Sequence, residues 1–284
     1  GIVCSHPFFD RDSLVIVGDH VTLDSGTGCV HTAPGHGMED YIVCKNYPQL
    51  SMPVPVDDHG RMNEEAGKYQ GLKTADANKA IYADLEASGA LFASEQIVHQ
   101  YPHCWRCRKP ILYRATNQWF CSVESFKDET LKAIDGVRFI PAWGKERMAS
   151  MVRDRADWCI SRQRKWGVPI TMFTCAKCGK PYITKEVIDK ISDLFAQEGS
   201  DAWYSHPVED LLPAGAECEC GSREFDKEVD VMDGWFDSGS THAAVLETRA
   251  DLSSPADLYL EGGDQYRGWF QSSLLTSVAT RGRA

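Results

Sequence analysis

Six of the chain's eleven cysteines fall in three tight pairs, the pattern in which metal sites are written. Cys175-Ala-Lys-Cys178-Gly-Lys has knuckle spacing: the turn lets both sulfurs face one point, and the glycine permits the tight return. Cys218-Glu-Cys220-Gly, some 40 residues on, is the natural second half. Four thiolates make a closed tetrahedral zinc site, which is structural because no position is left open for water. The plainer alternative is two pairs of reduced, buried cysteines. Cys104-Trp-Arg-Cys107 is a further knuckle with no partner pair left in the chain, so either it shares a metal with cysteines from elsewhere or it is an unpaired relic. The remaining five, Cys4, Cys29, Cys44, Cys121 and Cys159, stand among apolar neighbours and are expected to be small buried hydrophobes.

Three further stretches carry reactive groups. The run from Gly26 to Tyr41 holds His31, His36, Glu39 and Asp40 among turn formers. It fits a hydrolytic pocket in which Asp40 holds an ammonium and His31 positions water, or a metal triad, or simply a capped turn leading into a helix with His36 packed. Glu261-Gly262-Gly-Asp264-Gln265 lies between a predicted buried strand, Leu258-Tyr259-Leu260, and a predicted helix through Leu274, Leu275 and Val278. At the carboxyl end of a parallel strand such acids can accept bonds from ribose hydroxyls or an ammonium, although Gly-Gly before a helix also occurs as a mere loop. Trp235 and Trp269 sit beside small residues; core packing is the default, and walling an apolar side-chain pocket is the alternative.

These groups need elements to hold them. Leu14-Val15-Ile16-Val17 and Gly28-Cys29-Val30-His31 read as short strands punctuated by Gly18-Asp19 and Ser25-Gly26. Asp76 is placed to cap a helix carrying Ala80, Ile81 and Leu85 and ending near Gly89. Thr184 starts an amphipathic helix with Val187, Ile188, Ile191, Leu194 and Phe195 apolar, ended by Gly199. The organisation read this way is an α/β chain in four segments: 1–98, 99–168, 169–230 with the second cysteine group, and 231–284.

At 284 residues, with 43% hydrophobic and 25% charged residues, the composition is that of a soluble globular protein. No apolar run is long enough for a bilayer, and no signal peptide precedes the cysteines, so a cytoplasmic, zinc-using protein with no membrane partner is expected. The sequence starts at Gly1 without methionine and ends at Ala284 where a helix should hand over to a strand; both ends look cut. A net charge of −11 argues against nucleic-acid binding over the whole surface. Residues 143–167 carry seven cations, Lys145 to Lys165, against three anions, either a patch for a polyanion or a solvated helix face.

Taken in order, these motifs resemble one family. His31-Thr-Ala-Pro-Gly-His-Gly-Met-Glu-Asp40-Tyr41 is similar to the editing-domain signature of isoleucyl-tRNA synthetases. Tyr101-Pro-His-Cys-Trp-Arg-Cys107, Asp157-Trp-Cys-Ile-Ser-Arg-Gln-Arg-Lys-Trp-Gly-Val-Pro169, Trp235-Phe-Asp-Ser-Gly-Ser240 and Tyr259-Leu-Glu261-Gly-Gly-Asp264-Gln265-Tyr-Arg-Gly268-Trp269-Phe270 follow in the family's order. The resemblance implies a class I Rossmann-like catalytic domain interrupted by a β-rich editing domain, with a small zinc-bound insertion. Segment 1–98 would be the C-terminal part of the editing domain, 99–168 the connection back, 169–230 the zinc-bearing insertion, and 231–284 the truncated second half of the Rossmann domain. Glu261, Asp264 and Gln265, with Gly262 between them, would contact isoleucyl-adenylate, and Trp235 and Trp269 would line the isoleucine side chain. His31 and Asp40 would belong to the editing pocket, Asp40 gripping the amino group of misattached valine. Cys104 and Cys107 would pair with an upstream knuckle.

Isoleucine, ATP with Mg2+ and tRNA(Ile) would be partners of a monomeric full-length enzyme, with the basic stretch on the path of the tRNA 3′ end. The family's HxGH-type and KMSKS-type ATP signatures are not in this sequence, so the chain alone is expected not to aminoacylate. A free-standing deacylase of mischarged tRNA, or a non-catalytic zinc-stabilised tRNA-binding module, are the alternatives.

Overall fold

The structure is a computed structural model that describes residues 1–24 and 26–284. It divides into two compact units, Gly1–Asn117 and Gln118–Ala284. No helix of the described residues is long and apolar enough to cross a membrane.

In the first unit β1 (Val3–Ser5) and β2 (Asp12–Leu14) form an antiparallel hairpin with Cys4 opposite Ser13. Helix α1 (Met38–Cys44), a 3-10 turn (Glu64–Tyr69) and helix α2 (Thr74–Ala87) follow. Lys73 occupies the N-cap of α2, so the predicted capping residue Asp76 lies inside the first turn, where its charge still faces the positive helix end. The helix closes at Ser88, with Gly89 in the left-handed region as expected.

Strand content falls short of the sequence reading. Of the run from Leu14 to Val17 only Leu14 is in a strand, and Gly28–His31 forms none. β-branched residues favour a pleated surface only when a neighbouring strand packs beside it. Val17 and Val30 have none among the described residues, Val15 reaches only Ile2 O through its amide, and all three are exposed. Of the punctuating pair Ser25-Gly26, Ser25 lies outside the described residues, and Gly26 has a positive φ.

The second unit runs β3 (Phe120–Cys121), α3 (Lys127–Asp135), α4 (Gly144–Arg153), β4 (Trp158–Cys159), β5 (Ser161–Arg162), β6 (Phe173–Cys175), β7 (Pro181–Tyr182) and α5 (Lys185–Glu198). It continues through α6 (Ala202–Ser205), α7 (Val208–Leu211), β8 (Phe225–Lys227), β9 (Val231–Met232), α8 (Gly234–Gly239) and α9 (Trp269–Arg281). The ladders β3–β4, β5–β9 and β7–β6–β8 are antiparallel. Thr184 caps α5 by accepting from the Val187 amide at 3.2 Å, and Gly199 ends it at φ 83°.

The expected buried strand at 258–260 is absent. Those residues are irregular, with Leu258 73% and Leu260 80% exposed, because no described strand lies beside them to take up their backbone groups. The five scattered cysteines also depart from expectation. Cys4 and Cys29 are exposed and Cys44, Cys121 and Cys159 only half-buried, for it is the neighbouring Val43, Val123 and Trp158 that fill the cores beside the last three.

Two cores position the chemistry. Phe173, Val187, Ile191, Trp203 and Leu211 join the β7–β6–β8 sheet to α5, α6 and α7 beneath the cysteines. Ile134, Met148, Val152, Tyr266, Leu274 and Val278 bind α3, α4 and α9 together. Buried Val123, Trp158 and Leu275 extend this packing towards α8.

Candidate functional site

The knuckle at the end of β6 is built from backbone. The Cys175 amide donates to Lys180 O at 2.9 Å and the Gly179 amide to Cys175 O at 2.9 Å, with Gly179 at φ 70°. On the second half Cys218 N donates to Ser222 O at 2.9 Å and Gly221 N to Cys218 O at 2.8 Å, with Gly221 at φ 80°. A bond of 3.0 Å from Ala176 N to Glu224 O ties the halves. The result brings together the sulfurs of Cys175, Cys178, Cys218 and Cys220, all within 4.8 Å of one another.

Cys175 to Cys220 and Cys178 to Cys218 are each 3.6 Å apart, too far for disulfides. That spacing is close to the edge of about 3.8 Å of a tetrahedron with metal–sulfur bonds of about 2.3 Å. The Cys178 amide, against the opposing effect of burial, draws the Cys175 thiol down to about 6. Cys218 is pushed up to about 12: the Cys220 amide favours its thiolate, but burial and the crowding sulfurs outweigh it. A bound divalent cation supplies the charge that lets all four ionise, so the donor set and spacing fit a metal.

The Cys104 knuckle repeats the same turn. Cys104 N donates to Lys109 O at 2.9 Å and Arg108 N to Cys104 O at 2.8 Å. Arg108 takes φ 59° where Gly179 stands in the other knuckle. Amides of Cys107 and Arg106 lower the Cys104 thiol. No second cysteine pair joins it among the described residues.

The Trp235 and Glu261 motifs meet at the start of α9. Gln265 accepts from the Trp269 amide at 3.0 Å and donates to the Asp264 carboxylate at 3.0 Å. The Trp269 indole donates to Ser238 O of α8 at 2.9 Å and stacks on Tyr259 with centroids 4.3 Å apart. Gly268 is required by close approach: a Cβ there would lie 2.5 Å from Gln265 Oε1 and 2.8 Å from the Trp235 ring. Trp235, Gln265 and Trp269 are thus gathered, while Glu261, Gly262 and Asp264 stand on the exposed lip of a 3-10 turn that covers Gly263–Arg267. Burial pushes the Asp237 carboxyl up; the Val168 amide opposes this and the Asp233 charge adds to it.

In the first unit Asp40, in the opening turn of α1, accepts from the Ala33 amide at 3.0 Å and so folds the His31–Gly37 loop back on the helix. Gly35 N and Cα pass Pro53 so closely that a Cβ would meet its carbonyl at 2.6 Å. His36 Nδ1 lies 2.8 Å from Tyr113 O, which makes that nitrogen the donor, and its buried Nε2 has no partner. His31 is exposed at the other end of the loop.

Sequence reading missed the group that holds α8. Asp233 accepts from the Trp235 amide at 3.1 Å, the Trp158 indole at 3.0 Å and Arg162 at 2.7 Å. Its position two residues before Trp235, with Trp158 and Arg162 in one motif, was the available signal. Much of the basic stretch is likewise occupied internally: Lys145 pairs with Asp135, Arg153 with Glu146, and Arg155 with Gln271.

Residues 38–284 match the family described as tRNA synthetases class I (I, L, M and V), and the chain belongs to that family. Within it the chain is 61% identical over its full 284 residues to the isoleucine–tRNA ligase of Caldicellulosiruptor bescii, covering 31% of that protein. It is 60% identical over its full length to the isoleucine–tRNA ligase of Caldanaerobacter subterraneus subsp. tengcongensis, covering 30% of it. With that of Moorella thermoacetica it shares 59% identity over 285 aligned positions, again covering 30%. The chain therefore spans under a third of the length of the curated relatives it matches.

Proposed function

We propose that the chain is the interior part of an isoleucine–tRNA ligase, which attaches isoleucine to tRNA(Ile) through isoleucyl-adenylate at the expense of ATP with Mg2+. The observation that carries this reading is the meeting of Trp235, Gln265 and Trp269 at Gly268, beside the exposed Glu261 and Asp264. Two indoles suit a branched aliphatic side chain, and the carboxylates and Gln265 suit the ammonium and ribose of the adenylate. Residues 231–284 then form part of a Rossmann catalytic half, 99–168 the connection to it, and 169–230 a zinc-bearing insertion with Cys175, Cys178, Cys218 and Cys220 as ligands.

Residues 1–98 form part of an editing domain. A hydrophobic pocket gains little from one methylene, and isoleucine against valine is the standard illustration of that limit. A second, hydrolytic site is therefore needed. Asp40, anchored through one oxygen to the Ala33 amide, would hold the valine amino group with the other, and His31 would position water. Cys104 and Cys107 form a half-site for a second zinc. The cytoplasm is the compartment that fits thiol-held zinc and tRNA charging.

A chimera tests the reading: this chain replaces the matching segment of the Caldicellulosiruptor bescii ligase, and isoleucylation of tRNA(Ile) is measured. Charging is expected, with Trp235→Ala raising KM for isoleucine and Asp40→Ala releasing valyl-tRNA. A folded chimera that fails to activate isoleucine would overturn the proposal.

A further inference from the structure

Although the net charge is −11, no acidic residue occurs between Glu95 and Glu124, a stretch that holds Arg106, Arg108, Lys109 and Arg114. Arg114 is paired with Asp58. The other three form no ion pair among the described residues, whereas Lys145, Arg153 and Arg162 of the 145–165 stretch are each paired with an acid. They crowd the tip of a hairpin whose strands are joined by Ile111 N to Pro102 O at 3.2 Å and Cys104 N to Lys109 O at 2.9 Å.

At its apex stands Trp105, 76% exposed, with the Arg106 guanidinium 5.2 Å from its ring centroid. A tryptophan left bare gives up the burial it ordinarily gains. Here it is held out on a hydrogen-bonded turn and rimmed by cations, in a stretch whose own sequence holds no acid. A flat π face beside fixed positive charge is the chemistry that binds an unpaired base and its phosphates.

We infer that the tip of the 101–111 hairpin is a contact site for unpaired RNA nucleotides, with Trp105 stacking on a base and Arg106, Arg108 and Lys109 meeting the phosphates. That the RNA is a tRNA rests on the ligase reading above; the surface chemistry does not.

The probe is a short fluorescein-labelled single-stranded RNA, titrated by anisotropy with the whole chain at low salt, with a duplex of equal length as comparison. Single strands are expected to bind more tightly than duplex. Trp105→Ala should weaken binding about 5- to 100-fold, the worth of one stacked base, and Trp105→Phe should restore most of it. Replacing Arg106, Arg108 and Lys109 together by Ala should flatten the slope of log affinity against log salt by about 2, at roughly 0.7 per phosphate contact. Lys79→Ala on exposed α2 should change nothing. The inference is overturned if Trp105→Ala, folded by circular dichroism, binds as tightly as the parent, if duplex binds equally well, or if the chain binds neither. A chimera that charges isoleucine while Trp105→Ala leaves RNA binding intact sinks this site alone. One that does not charge while binding depends on Trp105 sinks the ligase reading alone.

Discussion

Asp233 lies where three elements converge and binds one group from each: the Trp235 amide at the head of α8, the Trp158 indole of β4 and the Arg162 guanidinium of β5. It is 7% exposed, so removing the carboxylate strips α8 of its cap and leaves a buried indole N–H without an acceptor. Arg162 is partly solvated and adds less. Asp233→Ala should lower the unfolding free energy of the second unit by about 2–4 kcal/mol, the sum of a lost cap and an unsatisfied donor. Asp233→Asn keeps one acceptor oxygen but sets an NH2 donor where the other stood, so it should recover only part of this loss, about half. Urea unfolding followed by tryptophan fluorescence measures both, and an alanine variant within about 0.5 kcal/mol of the parent would show that the carboxylate is dispensable.

Helices α8 and α9 pack by backbone contact. A Cβ on Gly239 would sit 2.7 Å from the Ser272 carbonyl carbon, and Thr276 Oγ1 donates to Gly239 O at 2.7 Å. Gly239→Ala must push the two helices apart, at about 1–3 kcal/mol, and it also moves Trp235 relative to Trp269. Thermal unfolding together with the isoleucine KM of the chimera checks this; a KM unchanged beside a lowered Tm would detach the tryptophans from the helix contact.

The same elements show what was legible from the residues. Helix α5 was, because Thr184, its apolar stripe and Gly199 all act locally. The four-cysteine cluster was too, since spacing alone fixes a knuckle turn. The strand at Leu258–Leu260 was not, because a strand depends on a neighbour that local pattern does not reveal. Asp233 escaped notice because its partners lie 71 and 75 residues away in the chain.

At the scale of the whole molecule the two units are unequally built. Val43, Ala66, Tyr69 and Ala77 are the buried apolar residues described in the first, while Ile2, Val17, Leu23, Phe92 and Val98 lie in water. The second has packed cores around Trp203 and Tyr266, and its cysteine cluster sits over the first of these. Stability follows buried apolar area, so the units should melt separately, the first at lower urea. A metal held only by the folded state adds RT ln(1 + [metal]/Kd), about 4 kcal/mol at a thousandfold excess over Kd.

Chelation, or Cys175→Ser, should therefore pull the upper transition down by several kcal/mol and leave the lower one in place. Each transition is separable by probe, tryptophan fluorescence reporting chiefly the second unit, which holds seven of the eight tryptophans, and amide exchange at α2 the first. A single coincident transition would show that the units unfold as one body. Two transitions in which chelation moves neither would show that the four thiols hold no metal that the fold depends on.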